Sequence, residues 1–127
     1  MLNAARGLKP ATTYYSSSFF LPLDTLNVLI ELMILTILRR GPMHGYGISQ
    51  KLAALSRDTF QVNPGSLFPT LYRLEQDGKL KGEWGPSENN RNAKYYKLTP
   101  SGRKQLEQHK QRWERIAVAI TSVLEGA

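Results

Sequence analysis

Ser66, Tyr72, Arg73 and Gln76 lie on one face of a segment whose other face carries Leu67, Leu71 and Leu74 at helical spacing. Hydroxyl, guanidinium and amide groups are the donors and acceptors that meet base edges, arginine pairing with guanine and amides with adenine. Thr70 falls nearer the edge of the same face. A second set follows at Arg91 and Lys94, beside Asn89, Asn90 and Asn92, with Glu88 as the one acid of that tip. Such groups grip phosphate without reading sequence. Tyr46 and Lys51, upstream, are placed to touch flanking phosphates. This is the chemistry of holding a polyanion, not of making bonds.

No competing catalytic set is present. Cys is absent, which removes disulfides and thiolate metal sites and suits a reducing cytoplasm. His44 and His109 are the only histidines, in different elements and without an acid cluster, so no metal or cofactor is expected. No Ser-His-acid arrangement, phosphate-cradling glycine loop or paired carboxylates stands in a plausible setting, so no enzyme is expected. A formal charge of +7 and a pI near 9.9 point to a polyanionic partner. The longest apolar run, residues 26–38, is broken by Asn27, Glu31 and Thr36. It falls short of the roughly 20 residues that span a membrane, so no membrane is expected as a partner.

The elements that must position these groups follow from the pattern. The segment around Leu67–Leu74 reads as a helix capped by Ser66, which leaves Pro69 in the first turn where a missing N–H is harmless. A start at Asn63-Pro64 is the alternative, at the cost of a backbone hydrogen bond at Pro69. Asp77-Gly78 ends the helix, and residues 79–84 and 93–98 are strand-like around a turn at 85–92. Tyr95 and Tyr96 alternate, one inward and one partly exposed, and Trp84 is expected to pack. A polar, cationic helix followed by a basic hairpin implies a winged helix-turn-helix, mainly α with a small β-wing. That architecture lays the helix in a major groove and the hairpin along the backbone.

Residues 1–22 read as an extension, since Gly7, Pro10, Thr12-Thr13 and the serines at 16–18 break any periodicity, and no signal peptide is visible. Asp24 or Thr25 can cap a first helix with a stripe of Leu26, Leu29, Ile30, Met33 and Ile37. Val28, Leu32 and Leu35 widen it, so it needs cover on more than one side. Residues 43–47 read as a turn in which His44 bonds locally, and Ile48, Leu52 and Leu55 as the inner face of a second helix. Thr99 caps a last helix with Pro100 at its first position, running to about Glu125. In it Leu106, Trp113 and Ile120 are seven apart, as are His109, Ile116 and Val123, a seam that suggests a partner subunit.

The strings GPMHGYGI (41–48), NPGSLFPTLYRLEQDG (63–78), GEWGPSENNRNAKYYKLTPSG (82–102) and RWERI (112–116) resemble the PadR-type family of winged-helix transcriptional regulators. The wing wording is most similar to a subgroup often encoded beside transport permeases. The resemblance covers about residues 21–124. It implies a DNA-binding domain at 23–100 and a C-terminal dimerisation helix at 101–127. It also implies a homodimeric repressor on a palindromic operator of double-stranded DNA. In some such proteins an aromatic at the place of Trp113 lines a cavity between subunits for flat hydrophobic effectors. Two residues depart from the family: Phe68 stands where Tyr is usual, removing a hydroxyl, and Pro64 alters the approach to the third helix. A winged-helix protein-interaction module and an RNA-binding protein are the alternatives.

Overall fold

Ile30, Ile34 and Leu38 recur every four residues along the first helix and, with Leu35 and Ile37, are buried at the centre of the molecule. The computed structural model describes residues 25–127; the extension at 1–22 and a cap at Asp24 lie outside them. The elements run α1 (Thr25–Leu38), β1 (Met43–His44), α2 (Gly45–Leu55), α3 (Pro64–Gln76), β2 (Leu80–Pro86), β3 (Asn92–Leu98) and α4 (Pro100–Gly126). Ile34, fully buried, replaces Leu29 and Met33 as the heart of the α1 stripe. A helix apolar at nearly every position does not disclose its inner face by spacing alone. The core is completed by Ile48 and Leu52 of α2, the three α3 leucines, Leu80, Tyr96 and Leu106. Thus α1 is wrapped by α2, α3, β3 and the start of α4.

The expected turn at residues 43–47 is instead a strand and the first turn of a helix. Met43 and His44 pair antiparallel with Tyr96 and Tyr95, so the hairpin becomes a three-stranded sheet in the order β1-β3-β2. His44 has the extended backbone that both roles share, and its Nδ1 accepts from the Gly47 amide at 3.0 Å, capping α2. Leu55, expected inside, is 69% exposed. It lies in the last turn of α2, just before the chain turns away through Arg57 and Asp58, both with positive φ.

Helix α3 also starts earlier than expected. Asn63, not Ser66, is its cap, accepting from the Ser66 amide at 3.0 Å, with Pro64 at the first helical position and Pro69 inside the helix. The bond Pro69 forgoes belongs to the Gly65 carbonyl, and both residues are exposed, so water can take its place. The cap offsets the rest.

Thr99 fixes α4 onto the base of the wing. Its hydroxyl oxygen accepts from the Gly102 amide at 3.0 Å and donates to the Gly78 carbonyl at 2.6 Å, while its amide bonds the Lys79 carbonyl at 3.1 Å. The 27 residues of α4 extend about 40 Å, and among the described residues its buried positions, Gly102 and Leu106, lie in the first turns. Among the described residues no helix is long and apolar enough to cross a membrane.

Candidate nucleic-acid interface

Ser66, Tyr72, Arg73 and Gln76 are all exposed on α3, joined there by Phe68 and Pro69. Thr70 is not among them. It is 3% exposed, and its hydroxyl donates to the Ser66 carbonyl at 2.9 Å, because its position rotates it towards the leucine face. Phe68 lies against Gly45, where a β-carbon would strike its ring, so the start of α2 and the start of α3 meet face to face. Tyr46 projects from that start, 68% exposed, with its hydroxyl accepting from Gln50, and Lys51 is exposed on the same helix.

The wing sets Arg91 and Lys94 to different uses. Arg91 is exposed at the tip, where the Ser87 amide and hydroxyl both donate to the Arg91 carbonyl, at 2.8 and 2.7 Å, and Asn90 takes positive φ to close the turn. Lys94 is not a tip residue. Its ammonium lies 2.7 Å from Glu75 of α3 and 5.6 Å from the centre of the Tyr96 ring. Gly82, opposite Tyr96 in the ladder, leaves the room this pair needs. The Glu75 carboxylate holds the Lys94 ammonium above the ordinary lysine value, while burial raises the Tyr96 hydroxyl. Lys94 therefore braces the wing against α3. Tyr95 is the partly exposed partner of buried Tyr96; its hydroxyl donates to the Pro86 carbonyl at 2.7 Å.

Trp84, expected to pack, is 70% exposed. It pairs across from Lys94, beyond Gly82 and past the core cover at Leu80, so nothing is left to bury it. An open groove of about 820 Å³ runs between wing and helices, lined by Tyr46, Phe68, Trp84, Arg91, Lys94 and their neighbours. Phe68 and Trp84 were not legible as groove residues, since an apolar aromatic in a sequence reads first as core.

Arg73 has a partner that spacing could not show. Its Nη2 lies 2.8 Å from Oε2 of Glu31 on α1, and the other oxygen of Glu31 lies 3.2 Å from Nε2 of His109 on α4. Gln105 reaches the same ring nitrogen at 3.2 Å. The His109 hydrogen bond, with help from Arg73 and against the effect of burial, holds the Glu31 carboxyl below its ordinary value of 4.5. A carboxyl more acidic in the folded than in the unfolded chain adds stability above its unfolded value, which is lost as pH falls through the folded one. Wild type should therefore be more stable than Glu31→Gln at neutral pH, and their thermal midpoints should converge as pH falls below the ordinary glutamate value and through the lowered one. Midpoints that stay equally far apart in acid would show that the carboxylate is not the source.

The stripe that the heptads mark is not open along its whole length. Leu106 is 2% exposed within its own chain, and His109 is bonded to Glu31, so both are engaged within the subunit. From Trp113 onward the stripe opens: Ile116 is half-buried, while Trp113, Ile120, Val123 and Leu124 are exposed. Among the described residues no group of His, Cys, Asp and Glu is placed to hold a metal ion.

The sequence model of the PadR-like transcriptional regulator family matches residues 34–108, from the middle of α1 to the start of α4. The chain belongs to the PadR-like family. Its relatives include the transcriptional regulator Rv3488 of Mycobacterium tuberculosis, 36% identical over 88 residues, which are 69% of this chain and 78% of Rv3488. Among solved structures, the PadR-like transcriptional regulator BC4206 from Bacillus cereus superposes with a TM-score of 0.70 at 30% identity, covering 82% of this chain and 99% of that one. The structure of smu.1704 from Streptococcus mutans gives 0.72 at 30% identity, over 85% and 95%. The fold is the winged helix of these PadR-like neighbours, mostly helical with a small antiparallel sheet and a long last helix. The family is one of transcriptional regulators, not of enzymes.

Proposed function

We propose that this PadR-like regulator is a cytoplasmic homodimeric repressor of a palindromic duplex operator, with α3 in the major groove and the wing along the backbone. The observation that carries it is the exposed row of Ser66, Tyr72, Arg73 and Gln76, set beside a wing that presents Arg91 and Trp84 across an open groove. In this reading residues 23–100 supply the DNA-binding unit, and 101–127 the dimerising helix, whose root is shared with the core.

Selection of bound DNA from a random pool tests it. Recovery of a palindrome with half-sites about 34–36 Å apart, or a multiple, supports the reading. Binding to single-stranded RNA as tight as to duplex, with no recovered motif, overturns it. Given an operator, Arg73→Ala should weaken it by about 1–3 kcal/mol while leaving random DNA nearly unchanged. Arg91→Ala should weaken both alike and reduce the salt slope by about one ion. Equal losses for Arg73→Ala would make it a phosphate contact.

Effector release is the second half of the proposal. The exposed Trp113 lies where the stripe of α4 leaves its own core, next to the surface assigned to the partner. A planar aromatic compound bound there should quench Trp113, read in a Trp84→Phe variant, and should release the operator from the wild-type protein by linkage. Quenching without release would remove the regulatory claim.

A further inference from the structure

We propose that Glu31 is a positioning residue for base recognition: from α1 it holds the Arg73 guanidinium in reading orientation on α3, and His109 of α4 holds Glu31. This rests on the operator-binding reading above. Arg73 is an exposed arginine, with 44% of its side chain accessible, on a face that otherwise offers a hydroxyl, a phenol and an amide. An unrestrained arginine samples many rotamers and settles on the nearest phosphate as readily as on a base. Here the Nη2–Oε2 bond of 2.8 Å commits one donor, and the guanidinium retains others for the two acceptors of a guanine edge.

Glu31 is suited to act as the holder. Its side chain is 14% accessible, so water competes little for it, and each oxygen is used by a different helix, Oε2 by Arg73 and Oε1 by His109. A carboxylate fixed at both oxygens is a stiff support, as recognition to within fractions of an ångström requires. Neither Glu31 nor His109 is on the exposed face of α3, and Glu31 lies outside the stretch matched by the family model.

The test separates holding from mere stabilisation and from competition with DNA. Glu31→Gln, nearly isosteric, is compared with wild type for affinity to the selected operator and to random duplex, alone and combined with Arg73→Ala. The expected result is a loss of discrimination of about ten-fold in Glu31→Gln, and no further loss when Arg73 is already alanine. Equal changes on both DNAs, tighter operator binding, or an effect that persists without Arg73 each overturn the proposal. A second measurement needs no DNA. The Arg73 Nη–H resonances of the free protein should be slow to exchange and should join those of the exposed arginines in Glu31→Gln. A resonance indifferent to Glu31 overturns the proposal even if operator binding stands. A wild type that discriminates no DNA sinks the operator reading while this measurement still decides whether Glu31 holds Arg73.

Discussion

Replacing Ile120 with glutamate is expected to convert the protein to monomers and to abolish operator binding. Ile120 is 51% exposed and belongs to the stripe of Trp113, Ile116, Val123 and Leu124, which no other described element covers fully. Side chains of this size on an extended helix are stabilised by burial, and a two-fold partner brings an identical stripe to meet them. A carboxylate placed there loses its water when the stripe closes, at a cost of several kcal/mol. Sedimentation at micromolar concentration reads the outcome. Gln111→Glu, on the exposed polar side of α4, is the control that should leave the dimer intact. A dimeric Ile120→Glu would move the interface off this stripe. Ile116 is a poorer choice because it is half-buried within its own chain, and Leu106→Ala should instead unfold each subunit more easily.

Gly102→Ala should be the most damaging single-methyl change in the chain. A β-carbon at this position would run into the Lys79 carbonyl, which is backbone and already accepts from Thr99. Flexible side chains yield to an added methyl; a carbonyl at the mouth of a β-strand does not. The helix would have to lift from the wing, breaking the Thr99 bonds to Gly78 and Lys79. Overpacking of this kind costs about 1–3 kcal/mol and occasionally more, against which alanine returns only about 1 kcal/mol of helix propensity. Gly126→Ala, at the far end of the same helix with open space around it, should gain slightly. Urea unfolding of both variants decides the matter, and equal midpoints would show that α4 is not seated through Gly102.

What the sequence disclosed was what short-range rules govern. The α3 leucines, the Thr99 cap with Pro100 behind it, and the alternation of Tyr95 and Tyr96 follow from spacing and local hydrogen bonding, and the structure agrees with each. The start of α3 differs from the expected one because the Asn63 cap outweighs the cost of an inner proline at Pro69. Strand β1 was invisible: two residues have no period, and their partners lie more than 50 residues away. Leu106 and Trp113 share one stripe, so no spacing rule tells where core ends and open surface begins. The pairs of Arg73 with Glu31 and of Lys94 with Glu75 join separate elements, and only the fold brings them together.

Those two ion pairs change how much of the +7 charge a duplex meets at the candidate face. Arg73 and Lys94 both carry an acid within 2.8 Å, so near the groove their fields are largely cancelled before DNA arrives. Each cation spent in this way releases no counterion from random sequence, and weak random binding shortens the time spent at wrong sites. A genome offers millions of such sites, so a regulator gains more from leaving them quickly than from gripping every phosphate. If α3 reads bases as proposed, internal neutralisation would favour a fast search, with arrest reserved for sequences whose bases can draw on the donors of Arg73 that Glu31 leaves free.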